Sequence, residues 1–312
     1  MSTSGTPFPV DPVLTGIINA YKNNTLIADL VMPRLTPNLP KKKFTWWSFA
    51  FGQFITVQDT KVGRKSSPNE VEFQGDEHED KTDDYGLDDV IPLDDINNAP
   101  AGYDPRAFSA QKLIDLVLLD REVRVANKAF DGSLYPASNK ETLTGTDKWS
   151  DAASNPIRLI SEAADTMVMR PNNMVLGRVE WTGLRTNPTV LQALTVSGSD
   201  KGMANKRAVA DLLELDDIII GEGWINSSKK GQAVSMQRAW SGNALLFFKA
   251  PLASSIDATP TFAWTAQHGE RVSGSMDEPK IGLKGSVRVR SGESVKEVVA
   301  APELGYLLED VL

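Results

Sequence analysis

Between Pro105 and Gly132 neither glycine nor proline interrupts the chain, and the apolar residues there recur at helical spacing. Asp104 is a candidate N-cap, Pro105 suits the first helical position, and Gly132 stands where a glycine commonly closes a helix. Leu113, Leu116, Val117, Val123 and Ala126 fall on one face, with Lys112, Asp115, Arg121, Glu122 and Lys128 as its charges. A helix over 107–131 would be about 35 Å long at about 1.5 Å per residue. Most globular helices are about three turns long, so this one predicts a spine on which other layers pack.

The segments around it divide by composition. Residues 1–44 carry prolines at 7, 9, 12, 33, 37 and 40, each fixing φ and removing an amide donor. They predict an extended arm with one or two short helices between Val13 and Val31, lying on its own body or on another subunit. Residues 44–75 read as a long β-hairpin. Phe49, Phe51, Ile55 and Val57 form the first leg, the turn lies near 63–69, and Val71 and Phe73 alternate with Glu70, Glu72 and Gln74 on the second. A two-stranded hairpin is marginal alone, which suits an arm stabilised by neighbouring subunits.

Residues 76–95 are the most acidic stretch, with Asp83-Asp84, Asp88-Asp89 and Asp94-Asp95 as paired carboxylates. Hard cations want oxygen ligands, but no EF-hand register surrounds Gly86. The stretch therefore reads as a solvated face or a partner for the basic turn of a neighbour's hairpin. Residues 155–250 alternate helices and short strands. Asn155-Pro156 opens a helix with Ile157, Ile160, Ala164, Met167 and Val168 on its apolar face. Strands follow at 174–177, 218–220 and 245–248, with helices carrying Trp181 and Leu184, then Val190, Leu191 and Leu194, then 206–213. Residues 263–312 return to β, with a turn expected at Ser291-Gly292-Glu293 between strands carrying Val287, Val289 and Val295, Val298, Val299. The predicted fold class is α+β, with the spine domain discontinuous about an inserted α/β subdomain.

No catalytic constellation can be assembled, so catalytic, cofactor-binding and metal residues are all expected to be none, and no cofactor is implied. His78 and His268 each stand alone in polar loops, and cysteine is absent, which excludes thiolate chemistry and disulfides. The Gly221-Glu222-Gly223 turn lacks the third glycine and following helix of a dinucleotide fingerprint. Lys41-Lys42-Lys43 reads as a solvated turn before a strand. A net charge of −8 argues against sequence-specific DNA recognition but not against enclosing DNA. No apolar run is long enough to span a bilayer.

The order of arm, hairpin, spine helix, α/β subdomain and returning strands resembles the HK97 fold of tailed-phage major capsid proteins. Local phrases carry the likeness: Leu26-Ile27-Ala28-Asp29-Leu30-Val31-Met32-Pro33 at the end of the arm, Arg121-Glu122 with Ala126 in the spine, the run from Asn155-Pro156 through Pro171-Asn172, Trp181 and Asn187-Pro188 to Leu194, and the closing Gly305-Tyr306-Leu307-Leu308-Glu309-Asp310. The resemblance implies an N-arm at 1–44, an E-loop hairpin at 45–84, a P-domain at 85–150 and 263–312, and an A-domain at 151–262. It implies a virion protein, assembled in the host cytoplasm, that forms hexamers and pentamers of an icosahedral head around double-stranded DNA. Its implied partners are itself, a portal, packaged DNA contacted non-specifically, and a decoration protein in some heads, with no membrane. The chain opens on its arm without a long charged helical leader, which points to a separate scaffolding protein. Some relatives join an E-loop lysine to a neighbour's asparagine; Lys61 and Lys65 lie in the hairpin, but no motif identifies a partner. An encapsulin-like compartment shares the fold and is the nearest rival. The rival from another class is a metal-dependent enzyme centred on residues 76–95, which would lose activity on replacement of Asp83 and Asp84; a tail-tube or adaptor protein fits the long spine poorly.

Overall fold

The computed structural model describes residues 8–49, 52–72, 74–194, 202–229, 231–250 and 260–312. The arm forms two helices, α1 (Pro12–Ala20) and α2 (Ala28–Val31). Asp11 caps α1 by accepting from the amide of Val13 at 2.8 Å, with Pro12 at the first position. The arm lies on its own body, since Leu14 and Ile18 are buried against the spine.

The hairpin departs from expectation. Its legs are β1 (Lys43–Phe49) and β2 (Gly75–Lys81), separated by a single turn of helix, α3 (Gly52–Ile55), and an irregular loop. The register runs from Lys43 opposite Lys81 to Phe49 opposite Gly75. The return leg is thus the acidic stretch, not Val71 and its neighbours; Phe51 and Phe73 lie outside the described residues. A polar strand serves because only one face of the ribbon root is covered: Phe44 and Trp46 pack on Trp264, and Lys43 on the other face pairs with Glu79 at 2.8 Å.

Next come β3 (Asp83–Pro92), α4 (Leu93–Asn97) and the spine α5 (Pro105–Ala129). Asp104 caps α5 through the Arg106 amide, as its sequence predicts. Two other expectations fail. The helix ends at Ala129 with Phe130 as its cap, and Gly132 does not take the left-handed conformation. A Cβ on Gly132 would meet only the carboxylate end of the Glu309 side chain, at 2.3 Å, which can swing aside. The buried face also differs: Leu116 is exposed, whereas Arg121 and Glu122 are buried.

Beyond the spine lie β4 (Lys140–Thr142), α6 (Pro156–Thr166), β5 (Asn173–Gly177), α7 (Arg178–Thr186), α8 (Pro188–Leu194), α9 (Lys206–Leu212), β6 (Asp217–Gly221), the hairpin β7 (Trp224–Asn226) and β8 (Met236–Arg238), and β9 (Ala244–Phe247). The chain closes with β10 (Ala263–Gln267), β11 (Val272–Glu278), β12 (Ser286–Val299) and β13 (Gly305–Glu309). Asn155 caps α6 through the Arg158 amide, and Val168, expected on its apolar face, is exposed beyond the helix end.

Two sheets organise the body. One is five-stranded, in the order β4-β13-β9-β5-β6, with β5 and β6 parallel. Met174, Leu176, Ile218, Leu246 and Leu308 pack under Leu159, Ile160, Trp181, Leu184 and Val209 of the helices. On the other face Val175, Ile219, Leu245 and Leu307 meet Val125, Ala126 and Ala129 of α5 together with the arm residues Ile27, Val31 and Met32. Strands covered on both faces read as continuous apolar runs, which is why 174–176 and 306–308 do. This sheet crosses the sequence boundaries expected at 150 and 263, because β4 and β13 join it.

The second sheet centres on β12, which pairs with β10 and β11 along one edge and with β3 along the other. β12 is one continuous strand of 14 residues, so the expected turn at Ser291-Gly292-Glu293 does not form. Gly292 lies opposite Gly86, and a Cβ on it would come within 2.5 Å of the Tyr85 carbonyl oxygen. The glycine permits a close strand approach where its sequence suggests a reversal. Ala110, Leu113, Ile114 and Val117 of α5 bury against Ile91 and Val289 of this sheet.

Candidate functional site

The helix α2 is too short to satisfy its own ends, and its cap position, Ile27, offers no side-chain acceptor. Glu122 fills that role from the spine. Its carboxylate accepts from the amide of Ile27 at 2.9 Å, the amide of Ala28 at 2.7 Å and the indole Nε1 of Trp240 at 2.6 Å. The next residue back, Arg121, grips the other end. It donates to Asp29 at 2.7 Å, to the Met32 carbonyl at 3.2 Å and to Thr265 Oγ1 at 3.1 Å. Two adjacent spine residues of opposite charge therefore hold the arm phrase Ile27-Ala28-Asp29 through Met32 from both ends.

A second group extends this ionic core. Arg34 forms a two-pronged pair with Glu293 at 2.9 and 3.2 Å and also bonds Asp29 at 2.9 Å and Gln267 at 2.7 Å. Arg271 reaches the same Glu293 at 3.2 Å. Burial alone would raise the pKa of Glu293, but Arg34, Arg121 and Arg271 outweigh it and hold the carboxyl below its ordinary value. Asp29, whose side chain is half-exposed, shifts the same way: partial desolvation opposes ionisation, and Arg121 and Arg34 prevail. Glu122 goes the other way, raised by burial against the opposing hydrogen bonds of Ile27, Trp240 and Ala28.

From this core the chain runs beside β10, with the Leu35 amide donating to Thr265 O at 2.9 Å and the Leu39 amide to Gln267 O at 2.7 Å, and enters the ribbon. Trp46 packs edge-on to Trp264 and stacks on His78 at 4.3 Å, and Ser48 Oγ lies 2.7 Å from His78 Nε2. Past the ribbon every residue from 55 to 72 is exposed, including Ile55, Val62 and Val71 and, at 96% exposure, Val57. No ion pair holds Lys61, Arg64 or Lys65 among the described residues.

The residues weighed for chemistry fall elsewhere than in a reactive cleft. His78 and His268, expected in loops, lie in β2 and beside β10, where the His268 amide donates to Ser294 O at 2.9 Å. The acidic stretch forms β2, β3 and α4. Asp84 pairs with Lys42, Asp88 with Arg288 and Arg290, Asp80 with Lys296 and Asp94 with Lys284. The triple lysine is accordingly in part an ion-pairing element, with Lys42 and Lys43 both engaged. Gly221 accommodates Trp240, whose ring would lie 2.4 Å from an added Cβ. Among the described residues no group of three His, Asp or Glu side chains is placed to hold a metal ion. Sequence reasoning missed the burial of Arg121, Glu122 and Glu293. The signal was present for the first two: they stand four residues beyond Val117 and Leu118 and four before Val125 and Ala126, all on the buried face.

Comparison with known proteins places this architecture. The chain is 45% identical over 309 residues to the major capsid protein of Pseudomonas phage JBD67, covering 99% of each chain. The chain belongs to the phage major capsid proteins. A family model described as phage major capsid protein E matches residues 134–252, from the end of the spine through β9. The major capsid protein of Burkholderia phage BcepMu is 23% identical over 320 residues, with 97% of this chain and 96% of that one covered. A phage-related protein from Bordetella bronchiseptica RB50 shares the fold, with a TM-score of 0.74 at 20% identity over 98% of this chain and 99% of that one.

Proposed function

We propose that this capsid protein is a non-enzymatic structural subunit that self-assembles into hexamers and pentamers of an icosahedral phage head enclosing double-stranded DNA. The observation that carries the reading is the arm at 55–72. It exposes Ile55, Val57, Val62 and Val71 on a segment with no cover from its own body. Apolar side chains on a projecting loop are a liability for a monomer and an asset once a neighbour covers them. Rings of six or five need such head-to-tail contacts, in which a projection on one subunit meets a different surface on the next.

Within this reading, the N-arm comprises 1–44 and the E-loop 45–84. The P-domain comprises α5 with the sheet around β12, and the A-domain comprises the five-stranded sheet with α6–α9. We assign β4 and β13 to the A-domain because they hydrogen-bond into its sheet. The head's further partners would be a separate scaffolding protein, a portal and, in some heads, a decoration protein. The packaged DNA would be contacted without sequence preference, in keeping with the acidic net charge of −8. The subunit would assemble in the host cytoplasm and reside in the virion; no described helix is long and apolar enough to cross a membrane. Deleting residues 58–72 tests the role of the arm. The variant is expected to keep a cooperatively folded body and to form no closed particles by electron microscopy; normal particles would refute the assignment.

A further inference from the structure

The two legs of the ribbon are rooted on adjacent residues of one strand. Glu293 of β12 holds the first leg through Arg34, and Ser294 holds the second by donating to Thr82 Oγ1 at 3.0 Å. The legs also meet each other there, where the Thr82 amide donates to Lys42 O at 3.0 Å. The second leg continues directly into β3, whose pairing along β12 fixes its position over ten residues. The first leg has no such continuous ladder. It is registered by isolated bridges, Arg34 with Thr265 and Leu39 with His268, and by the grip of Glu122 and Arg121 on α2 upstream. Leu35 and Leu39 are both buried with Phe44 and Trp264 in this register. A slip along β10 would break both bridges and carry Arg34 away from Glu293.

We propose that Arg121, Glu122 and Arg34 act as positioning residues that aim the β1–β2 ribbon, by locking the register of arm residues 27–39 on β10 and so fixing the root from which the ribbon projects. The lock couples three parts of the chain, because Glu122 also holds Trp240, which packs with Val175 and Leu245 of the five-stranded sheet. An arm slip is therefore opposed from both sheets at once. The consequence for particles rests on the shell reading above: a ribbon rooted loosely reaches its neighbour in several directions, and particles lose uniform diameter.

The test is hydrogen exchange on the unassembled full-length chain, comparing wild type with Arg34→Gln and Arg34→Lys. In Arg34→Gln, residues 35–48 and 75–82 are expected to exchange about tenfold faster or more, as befits loss of charge-assisted bonds to a buried carboxylate. Residues 173–177 and 244–247 are expected to keep wild-type protection. Arg34→Lys retains the charge but not the two-pronged geometry and is expected to fall between. Unchanged exchange at the ribbon root, or a uniform rise across all four segments, would overturn the proposal. Should Arg34→Gln fail to fold, the same contrast in Arg34→Lys decides the matter. Absence of particles from wild-type protein would count against the shell reading and leave this exchange contrast intact. Where particles form, those of Arg34→Gln are expected to vary in diameter, and a wild-type size distribution would contradict the aiming role.

Discussion

At the scale of single residues, the arm is held by the buried charges Arg121, Glu122 and Glu293 and their partners Arg34 and Asp29. Glu122→Ala would leave the Ile27 and Ala28 amides and the Trp240 indole without an acceptor, at about 1–3 kcal/mol for each buried donor left unpaired. We expect Glu122→Ala to lower subunit stability by at least about 3 kcal/mol in urea unfolding, well above the typical mutational cost of about 1 kcal/mol. The same charges set a pH dependence. Glu293 and Asp29 have folded-state pKa values below their unfolded ones, so the stability they contribute is present above the unfolded values. It is lost as pH falls from about 4 through the folded values. Glu122 is raised and has the opposite sign, so its ionised form is the costly one and protonation relieves that cost as pH drops through its folded value. Urea midpoints should therefore fall steeply below about pH 4, with that acid limb flattened in Glu293→Gln; an unchanged limb in the variant would remove Glu293 from the account. The capping residues Asp104 and Asn155 were legible because a cap is local chemistry. Glu293 was not, because the charge that chiefly offsets its burial, Arg34, lies far away along the chain.

At the scale of elements, the extent of the spine could be read from its helical spacing and caps, and β5, β6, β9 and β13 from their apolar runs, whereas the short, polar β4 carried no such signal. β2 was hidden for a physical reason. Its alternation lies among Asp, Glu and His, and its partner β1 supplies the aromatic side chains. The continuity of β12 was hidden by Gly292, which resembles turn punctuation but in fact lets β3 approach. Gly292→Ala tests this. A Cβ placed 2.5 Å from the Tyr85 carbonyl must push β3 away from β12. We expect a loss of about 1–3 kcal/mol, typical of overpacking, and faster exchange in both strands. A glycine serving only a flexible turn would tolerate alanine with little change.

At the scale of the whole molecule, the chain is a body of two sheets sharing one spine, with an arm laid across it and a ribbon that projects from it. The spine's N-terminal half packs on the β12 sheet and its C-terminal half on the five-stranded sheet. The sequence order of these parts was enough to suggest the fold, although each phrase alone is weak. The boundaries were less legible, since β4 and β13 join a sheet whose other strands lie far from them in sequence. The central claim, that this architecture serves a shell, is tested most directly by electron microscopy of the purified full-length protein, alone and with its phage-encoded assembly partners. The account predicts closed particles with five-fold and six-fold clusters of subunits. Uniform monomers or dimers under every assembly condition would contradict it.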